Sequence, residues 1–290
     1  MRRLRAFSQA FKVYELDGYI PELGFDAGLS ADELLQRMSH GLMQADRVVV
    51  AAPALAELLQ GQHDDVRLLE SALPAAWGQL QGLRRMAQRP RLGWIGNKDA
   101  ALLAEVVPAM AHEVDWIVLG DCPQALRPFV REHHPQVTGE MLGNSLAALN
   151  LDLALVPMAE TLGSACSADL RVLQHAACAH PVICSRVAGF AGADTLPLSR
   201  VENQTADWLR VIRLHLDDRD ASAALGDALQ NAVRANWLLQ GSAWRRGAGP
   251  GWPESRSYAG CPRDAGAWQR TPGHGCARGA LILSGDWPIV

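Results

Sequence analysis

The stretch NLDLALVPMAETLGSACSADLRVLQHAACAHPVICSRV, Asn150 to Val187, decides the fold. Leu151 to Val156 is an apolar run of strand length. A loop follows, then a short helical pattern after Ser167, then a second apolar run, Pro181 to Ser185. Buried strand, helix and buried strand in that order make a parallel α/β unit. Such a unit puts a loop and a helix N-terminus at the carboxyl edge of the sheet, where phosphate-bearing ligands bind. Leu170, Leu173 and Ala177 share one helix face and are expected to pack on the sheet.

The same alternation extends outward. Lys12 to Leu16, Arg47 to Ala51, Val66 to Leu69, Arg91 to Gly96 and Trp116 to Gly120 read as strands or strand-to-turn segments. Ser30-x-x-Glu33 is a capping box and predicts a helix to about Gln44. Pro53 opens a helix through Leu59, and Ser71 to Pro74 reads as a connection. Leu102, Leu103, Val106, Val107 and Met110 predict a helix over Asp99 to His112. Late helices over Asp207–Asp217 and Ala221–Leu239 would cover the sheet. Strands alternating with helices imply an α/β fold with Rossmann-like parallel sheets. The expected division is 1–75, 76–241 and a tail at 242–290. From Ala243 on, nine Gly, five Pro, six Arg and four Trp occur without hydrophobic period. That composition reads as a disordered tail or, the favoured reading, as out-of-frame translation.

The 290 residues carry a net charge of −4, which predicts no nucleic-acid partner. The basic start is not followed by an apolar stretch, and no apolar run approaches the ~18 residues of a membrane span. The expected location is cytoplasmic, with peripheral membrane contact left open. The six cysteines form no Cys-x-x-Cys pair and are expected to be small buried hydrophobes. His133-His134 before Pro135 reads as a surface helix end, and His63, His112, His180 and His215 as helix ends or faces with no spaced metal set. Trp94, Trp116, Trp208 and Trp237 lie in apolar patterns and are expected in the core. No nucleophile-elbow sequence occurs.

Several pieces resemble, in order, the bacterial GT-B glycosyltransferases close to group 1 or family 4. They are Lys12–Asp17, Asp46–Val50 with Ala54-Leu55-Ala56, Arg91–Gly96, Asn150–Val187, and Trp208 with Trp237. The resemblance covers about residues 1–241. It implies a donor-binding Rossmann-like domain preceded by the end of an acceptor-side domain, most of which is then expected to be missing from this chain. It further implies transfer of a sugar from a nucleotide-sugar donor to a glycan or lipid-linked acceptor, without a metal or other cofactor. Retention of configuration rests on the resemblance alone.

The resemblance places Gly96, Asn97, Lys98, Ser167, Asp169, Leu170, Arg171 and Gln174 around the donor, with Glu160 as the candidate catalytic residue facing the sugar. The leaving diphosphate gains charge, so the chemistry calls for amides, a helix terminus and cations aimed at it. Arg171 follows the first turn and could reach a phosphate. Family members commonly carry Lys-Ser-Asn-Leu-Arg-x-x-Glu where this chain has Ser167 to Gln174. Ser167 replaces a cation and Asp169 adds an anion. One charge unit at ~4 Å near a surface is worth up to ~4 kcal/mol. Gln174 replaces a carboxylate expected to hold the ribose hydroxyls and keeps one amide acceptor. The loop Gly96-Asn97-Lys98-Asp99 is short and lacks the family's histidine. Asp152 reads as a structural residue. The alternative function is a catalytically degenerate protein acting as a weak nucleotide-sugar-binding or scaffold module.

Overall fold

The computed structural model describes residues 10–22, 29–69, 71–82, 89–167, 170–239 and 280–283. The first sheet is parallel and contains β1 (Phe11–Leu16), β2 (Arg47–Val50) and β3 (Val66–Leu68). Helix α1 (Ala31–Gln44) covers it. The predicted capping box starts the helix: the Glu33 amide donates to Ser30 Oγ at 3.3 Å and the Ser30 amide to Glu33 Oε2 at 2.8 Å. Leu34, Met38 and Leu42 recur on one face and are buried, the latter two in one cluster with Val48 and Val50. Helix α2 (Pro53–Leu58) begins with proline at its first turn, where the missing N–H costs nothing.

After β4 (Leu73–Pro74) comes the larger sheet. It comprises β5 (Arg91–Ile95), β6 (Asp115–Leu119), β7 (Val130–His134), β8 (Leu153–Val156), β9 (Val182–Ser185) and β10 (Ser199–Val201), all parallel, in the order β10-β9-β8-β5-β6-β7. Period-two alternation splits each inner strand between two cores. Leu153 and Leu155 of β8 join Trp94, Trp116 and Trp208 on one face. Ala154 and Val156 join α4 (Met141–Ala148), α6 (Arg171–Ala177) and α8 (Arg219–Asn236) on the other. Helix α7 (Thr205–Asp217) covers the tryptophan side through Trp208, Val211 and Ile212. Past α8, β11 (Leu238–Leu239) pairs in parallel with β4.

Both sheets are pinned alike at their amino edges. Asp46 accepts the Lys12 amide at 2.7 Å while its own amide donates to the Lys12 carbonyl at 2.8 Å. Asp152 makes the same pair of bonds with Arg91, at 2.7 and 2.8 Å, and also accepts from Arg219 at 3.1 Å. Asp152 is therefore a structural residue. The Arg91 guanidinium grips Glu132 with two parallel bonds of 2.7 and 2.9 Å. That grip holds the Glu132 carboxyl down at about 2.

Some expectations are corrected. The helix over 99–112 is broken into a 3-10 segment, Lys98–Leu103, and α3 (Val106–Met110). Pro108 has no N–H to give to the fourth residue before it, so one helix cannot run through. His133 and His134 end a strand, not a helix; alternation in Val-Arg-Glu-His-His fits an edge strand whose Glu132 reaches Arg91. The connection at Ser71–Pro74 contains β4, and the loop after β8 contains α5 (Leu162–Ala165), capped by Thr161 Oγ1 accepting the Ser164 amide at 3.0 Å. The expected irregular tail carries a strand, β12 (Ala280–Leu283), beside β1 at the sheet edge. Ala-Leu-Ile-Leu is an unbroken apolar run of the tail, and an edge needs pairing on one side only.

Candidate functional site

The larger sheet reverses its strand order between β5 and β8. At such a reversal the loops after the two strands leave in opposite directions, and ligands of open α/β sheets bind between them at the carboxyl edge. Gly96 follows β5 directly, and its amide donates to the Leu119 carbonyl at 2.8 Å. A Cβ on Gly96 would overlap the backbone oxygen and nitrogen of Asp121, so glycine alone allows the two loops to meet. Gly120 makes the turn with φ +97°.

Asn97 is extended and points Nδ2 to Asp99 Oδ2 at 3.4 Å; its Oδ1 is buried and accepts no hydrogen bond among the described residues. Lys98 is exposed. Arg171 opens α6, and its Nη2 lies 3.9 Å from Asp99 Oδ2, with the two side chains only 14% and 10% exposed. Of the candidates, Asn97 and Arg171 thus converge, and they do so on Asp99. The sequence marks Asp99 as a helix start and the last residue of the short loop after β5, three residues past Gly96, and does not reveal its partner Arg171.

The opposite wall is clamped. Ser185 ends β9 fully buried, accepts the Met158 amide at 2.9 Å and donates to Asn203 Oδ1 at 2.7 Å. Asn203 Nδ2 returns to the Met158 carbonyl at 2.9 Å, closing a ring that fixes the loop after β8. Glu160 stands exposed in that loop. Gln174 is half-buried on α6, while Asp169 lies outside the described residues. Ser167 and Leu170 line an apolar cavity of about 80 Å³ with Pro53 and Phe190. Cys166, just before them, is fully buried in the core of the first sheet, so this loop plugs one half of the chain into the other. Ligand pockets hold roughly 300–1,000 Å³. A nucleotide-sized ligand needs this cavity to open.

Behind Arg171, one helical turn on, lies His175, which sequence reading passed over. It is fully buried, with Nδ1 3.3 Å from His180 Nδ1. Burial, then His180 and Arg171, push its pKa well below the ordinary 6.5. The described cysteines are buried, and burial raises the Cys178 thiol to about 12. Among the described residues no three His, Cys, Asp or Glu side chains converge as metal ligands, and no helix is long and apolar enough to cross a membrane.

Comparison with solved structures fits this geometry. Sucrose-phosphate synthase from Thermosynechococcus elongatus superposes with a TM-score of 0.65 at 16% identity over 85% of this chain. The fold is that of the GT-B glycosyltransferases. Anabaena HepE in complex with UDP-glucose matches 81% of the chain at a TM-score of 0.58 and 12% identity, and TarM matches 78% at 0.59 and 12%. The chain spans 69% of the synthase, 70% of HepE and 47% of TarM. No family model and no curated protein matches it. What is shared with these glycosyltransferases is architecture: parallel sheets flanked by helices.

Proposed function

We propose that the chain is a glycosyltransferase component that binds a nucleoside diphosphate sugar at the crevice between β5 and β8 and passes the sugar to a glycan or lipid-linked acceptor without a metal. The observation that carries this reading is Arg171 lying 3.9 Å from Asp99, in the 3-10 segment after β5, at the strand-order reversal of a GT-B fold. In this reading the anomeric carbon–oxygen bond breaks with its electron pair leaving on the diphosphate, and the acceptor oxygen forms the new bond. Arg171, Lys98 and the amides after Gly96 take up the growing negative charge. Ser167 supplies a hydroxyl, Leu170 an apolar contact, and Gln174 an amide oxygen for a ribose hydroxyl. Glu160 faces the sugar and receives the acceptor's proton. Asp169, an anion where the family pattern has a neutral amide, weakens the affinity for a diphosphate.

A second reading is binding without turnover. It is favoured by the loss of a cation at Ser167 and of a carboxylate at Gln174, and by Asp99 already answering Arg171. Incubation with UDP-, GDP- and ADP-glucose, with release of nucleoside diphosphate followed over hours, separates the two. Transfer or hydrolysis of any donor supports the first reading; saturable binding without release supports the second. Neither binding nor release at millimolar donor contradicts both.

A further inference from the structure

The apolar cavity lies at the seam of the two sheets' cores. Ala52 belongs to the core of the first sheet, Leu173 and Phe190 to a core of the larger one, and all three line about 80 Å³ of unfilled space. No charged side chain stands among the described residues of the lining. Its polar side-chain atoms are the hydroxyls of Ser71 and Ser167 and the indole N–H of Trp237. The wall is fixed from behind. Gly189 lies so close to the Ser164 carbonyl and to Met158 Sδ that a Cβ would overlap both, and Met158 is itself held by Ser185 and Asn203.

We propose that this cavity is an acceptor subsite for an alkyl group: the acceptor is an alcohol that carries a short aliphatic chain beside its attacking hydroxyl, and not a free glycan. This rests on the donor-binding reading above and deepens it by naming the acceptor's class. A glycan unit brings several hydroxyls, each of which needs a partner once it leaves water, and three polar side chains cannot supply them all. An alkyl group needs none. Apolar cavities stay dry and take apolar guests, and about 150 Å³ holds a benzene ring. At about 80 Å³ this one holds a chain end of a few carbons and no ring. Ser167 and Leu170 line it and also border the donor in the reading above, so a chain end seated here lies beside the sugar to be transferred. The alkyl group takes no part in bond making. It holds the hydroxyl whose oxygen forms the new glycosidic bond and whose proton passes to Glu160.

The test is titration of the isotopically labelled full chain with ethanol, propan-1-ol, butan-1-ol and hexan-1-ol, and with maltose as the glycan probe, each with and without UDP, followed by amide shifts. The expected result is affinity rising about fourfold for each added methylene until the cavity is full and levelling off beyond, with shifts at Ala51, Ala52, Ala165 and Phe190, none there from maltose, and no displacement by UDP. Ala165→Leu fills the space and flattens the series; Ala52→Val serves as the second variant where Ala165→Leu melts early. A flat series in the parent, a rising series that persists in the filled variants, saturable maltose binding at this lining, or displacement of the alcohol by UDP overturns the proposal. UDP binding with a flat alcohol series leaves the nucleotide-sugar reading standing without the subsite. A rising series in a chain that binds neither UDP nor a UDP-sugar supports the alkyl subsite while the nucleotide-sugar reading fails.

Discussion

The fully buried Ser185 hydroxyl donates to Asn203 Oδ1 at 2.7 Å, joining the end of β9 to the segment that leads into α7. Because Ser185 also accepts the Met158 amide, and Asn203 Nδ2 donates to the Met158 carbonyl, one side-chain pair fixes the loop carrying Glu160. Ser185→Ala leaves a buried amide and an asparagine oxygen without partners. Unfolding in urea should show a loss of about 1–3 kcal/mol, and hydrogen exchange at Met158 should accelerate. An unchanged midpoint with unchanged exchange would mean the ring does not hold the loop.

Gly96 and Asp121 make the second constraint on the crevice. Since a Cβ at Gly96 collides with backbone atoms, which cannot rotate away, Gly96→Ala forces the loops after β5 and β6 apart. The expected cost is about 1–3 kcal/mol, with displaced amide resonances at both loops. Gly139→Ala is the contrast: its φ of +62° makes it strained, but open space surrounds it, so its shifts should stay local.

The buried histidines make the fold sensitive to mild acid. Burial lowers the pKa of His215, and burial with His180 and Arg171 lowers that of His175. A base held neutral in the fold binds its proton more readily when unfolded, so stability rises with pH across this window. It is fully present above about 6.5 and falls as pH drops below it. Urea midpoints measured from pH 8 to 5.5 should decline, and His175→Gln should flatten the decline. A flat parent profile would refute the buried neutral histidine.

Glu132 acts at lower pH. Arg91 holds its carboxyl at about 2 against an ordinary 4.5, so its contribution is present above 4.5 and is lost as pH falls toward 2. Glu132→Gln should remove part of the acid transition in that window while lowering stability at pH 7. An acid limb identical in parent and variant would show that the Arg91 grip does not contribute.

Strand β12 makes the far end of the chain part of the first sheet. Phe11↔Ala280 through Tyr14↔Leu283 is a four-residue parallel register covering the outer edge of β1. A chain ending at 240 leaves that edge bare, and bare edges recruit other chains. Truncation should speed amide exchange along Phe11–Leu16 and promote self-association in sedimentation. Protected β1 amides in a monomeric truncated chain would argue against β12.

How much was legible follows from what each segment depends on. The strands from Arg47, Arg91, Trp116, Leu153 and Val182 were readable because continuous apolar runs suit strands buried on both faces. The Ser30–Glu33 cap was readable because both partners are local. β7 was not, since its Arg131, Glu132 and His133 are edge positions whose identity is set by a distant partner, Arg91. The break before Val106 was signalled by Pro108, but helical spacing around it masked the signal. At the site, Gly96, Asn97, Lys98 and Arg171 were named from position alone. Asp99 meets Arg171 across 72 residues of chain, and Ser185 meets Asn203 across 18 to hold the loop of Glu160; no local pattern marks such pairs.

The central claim is that the crevice between β5 and β8 receives a nucleoside diphosphate sugar. The most direct measurement is titration of the isotopically labelled chain with UDP-glucose, GDP-glucose and ADP-glucose, followed by backbone amide shifts. The account predicts saturable changes with at least one donor, concentrated at Gly96–Asp99, Gly120, Met158–Glu160 and Ser167–Gln174. Absence of saturable change with all three, or changes confined to surfaces away from these loops, would contradict it.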